Sequence, residues 1–219
     1  MNKPLLSILI PTVVGRENEF RKLYSTVLNQ VDALCNVENF IQSFTANELG
    51  LNGGKHDNLI EVIYCIDDKS ISIGEKRERL YQLASGVYVW QIDDDDSIAP
   101  DAIKLILDAI KSNPEICCIT FAENCMMNGE YKSSNHSIKY DKWQDNFDGY
   151  AYVRTPFYKD VIRTDIAQSV PFPNVRYNED EQWSMAIKPL LKNEIHIDKE
   201  LYFYIYEPKD SHNERYGIK

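Results

Sequence analysis

The chain has 219 residues, with 24 basic and 34 acidic side chains and a net charge of −10. That balance excludes a protein that holds DNA or RNA through its overall field, so any anionic ligand must be met locally. Apolar residues make up 43% of the chain, enough to bury a sizeable core, and the length suits one substantial domain.

The first segment, MNKPLLSILIPT, is too short in its apolar run for a signal peptide core or a membrane span. The chain is therefore expected to be soluble and cytoplasmic, or at most attached peripherally to the inner face of a membrane. Leu5 to Ile10 reads as a buried strand closed by Pro11. Phe20, Leu23, Tyr24, Val27, Leu28 and Val31 recur at spacings of three and four, which predicts a helix from Glu17 to about Cys35. Residues 36–58 are less regular and contain Gly50, Gly53 and Gly54; they read as a helix fragment plus a loop.

Leu59 to Ile66 is a second buried strand, stopped by Asp67-Asp68. Gly74 to Ser85 reads as a helix ended by Gly86, and Val87 to Ile92 as a strand running into four aspartates. Pro100 to Ser112 is an amphipathic helix with proline and acid in its first turn, followed by a strand from Ile116 to Phe121. Alternation of strand and helix to residue 121 predicts an α/β fold: a mainly parallel sheet flanked by helices. Beyond it the pattern becomes mixed. Strands are expected near Tyr131, from Tyr150 to Arg154 and from Leu201 to Tyr206, with helices from Lys159 to Ser169 and from Glu181 to Leu191. The simplest organisation is one domain over 1–219, in which 1–121 binds the ligand and 122–219 forms a second, acceptor-side half.

Cys35, Cys65, Cys117, Cys118 and Cys125 form no C-x-x-C pair, and three of them lie inside apolar runs, so buried reduced thiols are expected. None of His56, His136, His196 and His212 has metal-site spacing to another. His196 reads as an exposed strand residue. His212 lies in a polar tail and is the histidine considered for a metal.

The chemistry concentrates in Asp93-Asp94-Asp95-Asp96, placed at the end of an apolar strand. Neighbouring carboxylates repel each other unless a cation is present. Oxygen ligands of this kind suit Mg²⁺ or Mn²⁺, completed by substrate phosphates. If strand geometry persists, Asp93 and Asp95 point the same way. The plain alternative is a solvated acidic turn. Asp67-Asp68-Lys69-Ser70 ends another strand, where a carboxylate can accept from a nucleobase or ribose; a local aspartate turn is the alternative. Lys76, Arg77 and Arg79 near a helix start could meet a diphosphate, although Glu75 and Arg79 have the spacing of an ordinary helix pair. Glu179-Asp180 beside Trp183 opens a helix and offers either a general base or a partner of the helix dipole.

The order of these pieces resembles family 2 glycosyltransferases of the GT-A fold. The resemblance is carried by Ser7-Ile8-Leu9-Ile10-Pro11-Thr12, Asp67-Asp68-Lys69-Ser70, Ala84-Ser85-Gly86-Val87-Tyr88-Val89, Asp93 to Asp96 with Pro100, and Glu179-Asp180 after Pro171-Phe172-Pro173. It implies transfer of a sugar, with inversion, from a nucleotide-sugar donor (a UDP-sugar for preference) to a hydroxyl of a carbohydrate or glycolipid acceptor. It further implies that Pro11 and Thr12 line the nucleotide pocket, and that Asp68 contacts the base with Asp67 beside it. Lys76 and Arg77 lie near the donor, as do Asp93 and Asp94, with Asp93 and Asp95 forming the D-x-D. Asp95 or Asp96 touches Mn²⁺ or Mg²⁺, and Asp180 is the base, with Glu179 as its rival. Lys69 replaces the family's glycine and Val13-Val14 its common tyrosine-asparagine. A metal-dependent nucleotidyltransferase and a non-catalytic sugar-nucleotide-binding protein of the same fold remain open alternatives.

Overall fold

The computed structural model describes residues 3–35, 40–46, 51–56 and 59–206. Strand β1 (Leu6–Val13) forms the centre, in parallel register with β4 (Ile60–Asp67) on one side and β5 (Tyr88–Gln91) on the other. Side-chain alternation along β1 divides the core in two. Leu6, Ile8 and Ile10 face α1 (Glu17–Leu34) and α3 (Ala102–Ser112), where Leu23, Val27, Val31, Ile103, Ile106 and Ile110 are buried. Leu9, with Ile63 and Val89 from the flanking strands, faces α2 (Ile73–Leu83), α4 (Thr164–Gln168) and α5 (Glu179–Ile187). Helices therefore cover both faces of a mixed, largely parallel sheet, as the strand and helix alternation predicts.

The sheet continues in the order β2 (Phe40–Ala46), β3 (Leu51–His56), β4, β1, β5, β11 (Val161–Arg163), β7 (Cys118–Met127), β8 (Glu130–His136), β10 (Tyr150–Arg154), β9 (Gln144–Phe147), with β12 (Glu194–Tyr206) paired parallel to β7. The short β6 (Ser97–Ile98) pairs antiparallel to β12 and ties the loop after β5 to the late strand. On the far side, β8 (Glu130–His136), β9 (Gln144–Phe147) and β10 (Tyr150–Arg154) extend the sheet.

Two expectations are corrected. Residues 40–46 and 51–56 are not a helix fragment and loop but strands β2 and β3, an antiparallel hairpin laid on β4. The backbone pairing offered by the edge of β4 outweighs the low strand propensity of Gly53 and Gly54. The expected helix over 159–169 is split. Val161–Arg163 forms β11, which fills the slot between β5 and β7 antiparallel to both, and only Thr164–Gln168 is helical. Two adjacent β-branched residues, Val161 and Ile162, suit a buried strand as well as a helix; the vacant position in the sheet decides.

The helix read from Glu181 begins two residues earlier, at Glu179, and passes into a 3-10 turn at Lys188–Leu190 around Pro189. Among the described residues no disulfide forms; Cys65, Cys117, Cys118 and Cys125 are buried, and His196 is exposed on β12. No helix among the described residues is long and apolar enough to cross a membrane.

The Ala84-Ser85-Gly86 turn shows why a glycine stands there. Glu61 on β4, itself buried, accepts from Ser7 Oγ at 2.7 Å, Ser85 N at 2.8 Å and Ser85 Oγ at 2.9 Å, joining two strands to the turn. Gly86 N donates to Ser7 Oγ at 2.9 Å. A Cβ on Gly86 would lie 2.7 Å from that oxygen and 2.8 Å from the Ser7 backbone nitrogen. Gly86→Ala is therefore expected to destabilise the fold by about 1–3 kcal/mol, as overpacking against backbone does. Chemical denaturation of the variant checks this; an unchanged midpoint would show that the start of β1 yields freely.

Candidate active site

The parallel strands β4, β1 and β5 end on one edge of the sheet, so Asp67, Thr12 and the aspartate run after Gln91 are brought together there. From β1, Thr12 is buried and donates through Oγ1 to Asp94 Oδ2 at 2.6 Å. Pro11, one residue earlier, is buried in register with Cys65 of β4. From α2, Lys76 donates to the Thr12 carbonyl at 2.8 Å and pairs with Asp67. Asp68 is exposed and accepts from Ser70 N at 3.0 Å, which with the Ser70 hydroxyl lowers its pKa. Lys69, where the family pattern has glycine, adopts a left-handed φ of 69°.

The four aspartates do not alternate as in a strand. Strand β5 stops at Gln91, and a turn closed by Asp96 N donating to Asp93 O at 3.1 Å sends the carboxylates in different directions. Asp93 turns toward α2 and accepts from Arg77 Nη1 at 3.0 Å, Arg77 Nη2 at 3.3 Å, the Tyr158 hydroxyl at 2.8 Å and Gln91 Nε2 at 2.9 Å. Burial opposes its charge, yet Arg77 and then Lys159 hold it below the usual carboxylate range. Asp94 meets Thr12 and Arg16. Burial pushes it up to about 6 against the pull of those two partners, and repulsion from Asp95 and Asp93 adds to the rise. Asp96 is sealed in the interior, accepting from the Tyr202 hydroxyl at 2.7 Å, and burial raises its pKa well above the ordinary value. Asp95 is the outlying member, with its side chain 43% exposed and in contact with Arg16.

Arg77 joins this edge to the second half of the chain. It is buried, with its guanidinium carbon 3.5 Å from the centroid of the Tyr158 ring, and its Nε donates to Glu179 Oε1 at 3.2 Å. Arg79 pairs instead with Glu75 on its own helix, as the i,i+4 spacing suggests. Asn178, in the left-handed region at φ 62°, places Glu179 and Asp180 in the first turn of α5. Glu179 is thus engaged by Arg77. Asp180 is half-buried, accepts from Glu181 N at 2.8 Å, and lines a cavity of about 250 Å³. Trp143, Tyr152, Tyr158, Tyr204 and Arg154 also line this cavity.

Glu123 and Lys159 line the same cavity and belong to a buried ionic relay. Lys159 donates to Glu123 Oε1 at 2.5 Å, Glu123 Oε2 lies 3.2 Å from His136 Nε2, and His136 Nδ1 lies 3.1 Å from Asp160 Oδ1. Lys159 Nζ also stands 3.9 Å from both Asp96 Oδ2 and the Tyr204 ring centroid, so the relay ends at the aspartate turn.

Sequence reasoning brought together Thr12, Asp67, Lys76, Arg77, Asp93 to Asp96, Glu179 and Asp180. It missed Arg16, Tyr158, Lys159 and Tyr202. Arg16 follows Gly15 just past the first strand, a position where a cation can be suspected. Tyr158, Lys159 and Tyr202 carry no periodic or motif signal; they are identified only by contact. His212 lies outside the described residues.

Among the described residues no three His, Cys, Asp or Glu side chains converge on one point, so these residues build no closed cage. A hard cation that keeps its waters and takes one carboxylate plus substrate phosphates needs no such cage. Asp95 fits that role by its exposure; Asp96, beneath Tyr202, is shielded from an ion arriving from solvent.

A helix-flanked sheet whose parallel strands end in carboxylates, with α2 and α5 meeting over that edge, is the GT-A architecture. Residues 55–171 match the model of glycosyl transferase family 2, and the chain belongs to that family. Among solved structures it is similar to Staphylococcus aureus TarS, residues 1–349, with 14% identity and a TM-score of 0.58, covering 94% of this chain and 60% of that one. The complex of TarS 1–349 with UDP gives 14% identity and 0.58, with coverages of 97% and 63%. The complex with UDP-GlcNAc gives 14% and 0.54, with 96% and 60%. The chain thus spans about three fifths of the length of these structures. No curated protein sequence matches it significantly.

The relay makes stability depend on pH. Burial disfavours a charged His136, but Asp160 and Glu123 override it and raise its pKa to about 9, against an ordinary 6.5. A raised histidine stabilises fully below the ordinary value and loses that contribution as pH climbs through the folded one. The melting temperature is expected to fall between about pH 6.5 and pH 9, and His136→Gln to flatten that slope. Melting curves of both proteins across this range check it; parallel slopes would refute a charged His136.

Proposed function

We propose that the chain is a glycosyltransferase that moves a sugar from a UDP-sugar to a hydroxyl of a carbohydrate or glycolipid acceptor, with inversion. Membership in the family and likeness to a protein crystallised with UDP and with UDP-GlcNAc support the donor class. The observation that carries the reading is the position of Asp180, on the wall of a cavity shared with Tyr158, whose hydroxyl bonds Asp93 at the carboxyl edge of the sheet. A carboxylate between two binding regions, one for each substrate, is where a general base must stand.

In this reading Pro11, Thr12, Asp67 and Asp68 border the nucleoside, and Asp93 and Asp94 face the ribose and sugar. Lys76 and Arg77 act from beneath, holding Asp67 and Asp93 in place, since both cations are buried and engaged. The aromatic walls of the cavity, Trp143, Tyr152 and Tyr204, offer flat apolar faces to an acceptor sugar ring. Asp180 takes the proton of the acceptor hydroxyl as that oxygen attacks the anomeric carbon from the side opposite the diphosphate. Glu179 does not serve, because Arg77 occupies it. Mn²⁺ or Mg²⁺, held through Asp95 and the donor phosphates, would neutralise the charge of the leaving diphosphate.

Two variants test this. Asp180→Asn is expected to lower kcat by about 10²–10⁴-fold, the usual contribution of a general base, with UDP affinity within about twofold of the parent. Asp95→Asn is expected to keep the fold and lose the increase in UDP affinity that Mn²⁺ confers on the parent. The measurements are UDP release from a panel of UDP-sugars and calorimetric titration of UDP with and without Mn²⁺. Release of pyrophosphate from UTP and a sugar 1-phosphate, with no UDP from any UDP-sugar, would make the protein a nucleotidyltransferase, and full activity in the Asp180 variant would remove that residue from the mechanism.

A further inference from the structure

Arg16 occupies the ground between the aspartate turn and solvent. Its Nη2 lies 3.0 Å from Asp94 Oδ1 and also contacts Asp95 Oδ2, so one guanidinium bridges two of the four carboxylates. The residue sits in the loop between β1 and α1, after Gly15 at φ +92°, and caps α1 through its backbone alone, without a side-chain bond to the helix. Its Nε and Nη2 are buried, yet neither has an acceptor in hydrogen-bond geometry. The arginine is therefore held at Nη2 by the two carboxylates, with the Nε donor direction unused. Lys76 and Arg77, also at this edge, and Lys159 beside Asp96 are almost fully buried and engaged by carboxylate or carbonyl partners, whereas Arg16 keeps 29% of its side chain exposed.

We propose that Arg16 is the resident cation of the donor site: it bridges Asp94 and Asp95 until a divalent ion takes Asp95, and its guanidinium then binds the donor's diphosphate. The inference rests on the glycosyltransferase reading above. Two cations cannot share the Asp95 carboxylate at contact distance without strong mutual repulsion, so the ion and Arg16 compete for it. A guanidinium released from Asp95 finds in a diphosphate an acceptor of the same sign and greater charge whose oxygens match its fork. Arg16 then does two things. It neutralises the aspartate cluster when no substrate is present, and it couples metal entry to capture of the nucleotide.

The competition is read without turnover. Mn²⁺ binding to the full chain is measured by electron paramagnetic resonance in the absence of nucleotide, for the parent, Arg16→Gln and Arg16→Lys. UDP binding at saturating Mn²⁺ is measured by calorimetry on the same three proteins, and melting curves show that each is folded. Arg16→Gln is expected to bind free Mn²⁺ at least about fivefold more tightly and UDP about tenfold more weakly, with Arg16→Lys between the two in both assays, since a lysine keeps the charge and loses the fork. Unchanged or weaker Mn²⁺ binding in Arg16→Gln would overturn the proposal, as would unchanged UDP binding. If the parent bound neither Mn²⁺ nor UDP, the donor reading itself would fall; a parent that binds both, with an Arg16→Gln variant that matches it, would overturn the role of Arg16 alone.

Discussion

Arg77 is the interaction on which the site depends. A buried guanidinium carries a desolvation cost of several kcal/mol unless carboxylates and a polarisable face surround it. Asp93, Glu179 and the Tyr158 ring provide them, and in doing so bind the end of β5, the start of α5 and the segment after β10 to one point. The pair works in both directions. Asp93, with its side chain 22% exposed, stays ionised because Arg77 is there, and α5 opens at the height that sets Asp180 against the cavity because Glu179 is held. A lysine could not form this joint, since it lacks the planar fork that reaches two carboxylates while lying on a ring.

The same logic divides the acidic run into parts. Four consecutive aspartates would repel one another if they shared one direction. The turn after Gln91 separates them, giving Asp93 to Arg77, Asp94 to Thr12 and Arg16, and Asp96 to Tyr202 in the interior, while Asp95 stays outermost. An acidic sheet edge becomes a set of distinct sites through this assignment of partners. The buried Lys159–Glu123–His136–Asp160 relay extends the arrangement from the aspartate turn to the floor of the aromatic cavity, so the regions assigned to donor and acceptor are electrostatically continuous.

Much of this was legible along the chain. The apolar runs ending in Pro11, Asp67 and Asp93 mark the three parallel strands, and strands that run parallel deliver their carboxyl ends to one edge. That argument collects Thr12, Asp67 and the aspartates without any knowledge of contacts. It fails where residues are joined across long separations. Tyr158 meets Asp93 from 65 positions away and Tyr202 meets Asp96 from 106, and no local pattern marks either tyrosine. It also fails at β11 and at the β2–β3 hairpin, whose strand character comes from a free neighbour in the sheet and not from their own composition.

The sequence by itself determined the alternation of strands and helices, the placement of the acidic turns at strand ends, and membership in a glycosyltransferase family. These follow from periodicity and local order, which are short-range properties of a chain. Only the tertiary structure decided which carboxylate is exposed, which is locked and which is buried. That outcome depends on the desolvation and partner of each group, and both are set by residues remote in sequence that share a few ångströms of space. Asp180 differs from Glu179, and Asp95 from Asp96, by one position in the chain; contact with Arg77 and with Tyr202 separates their roles.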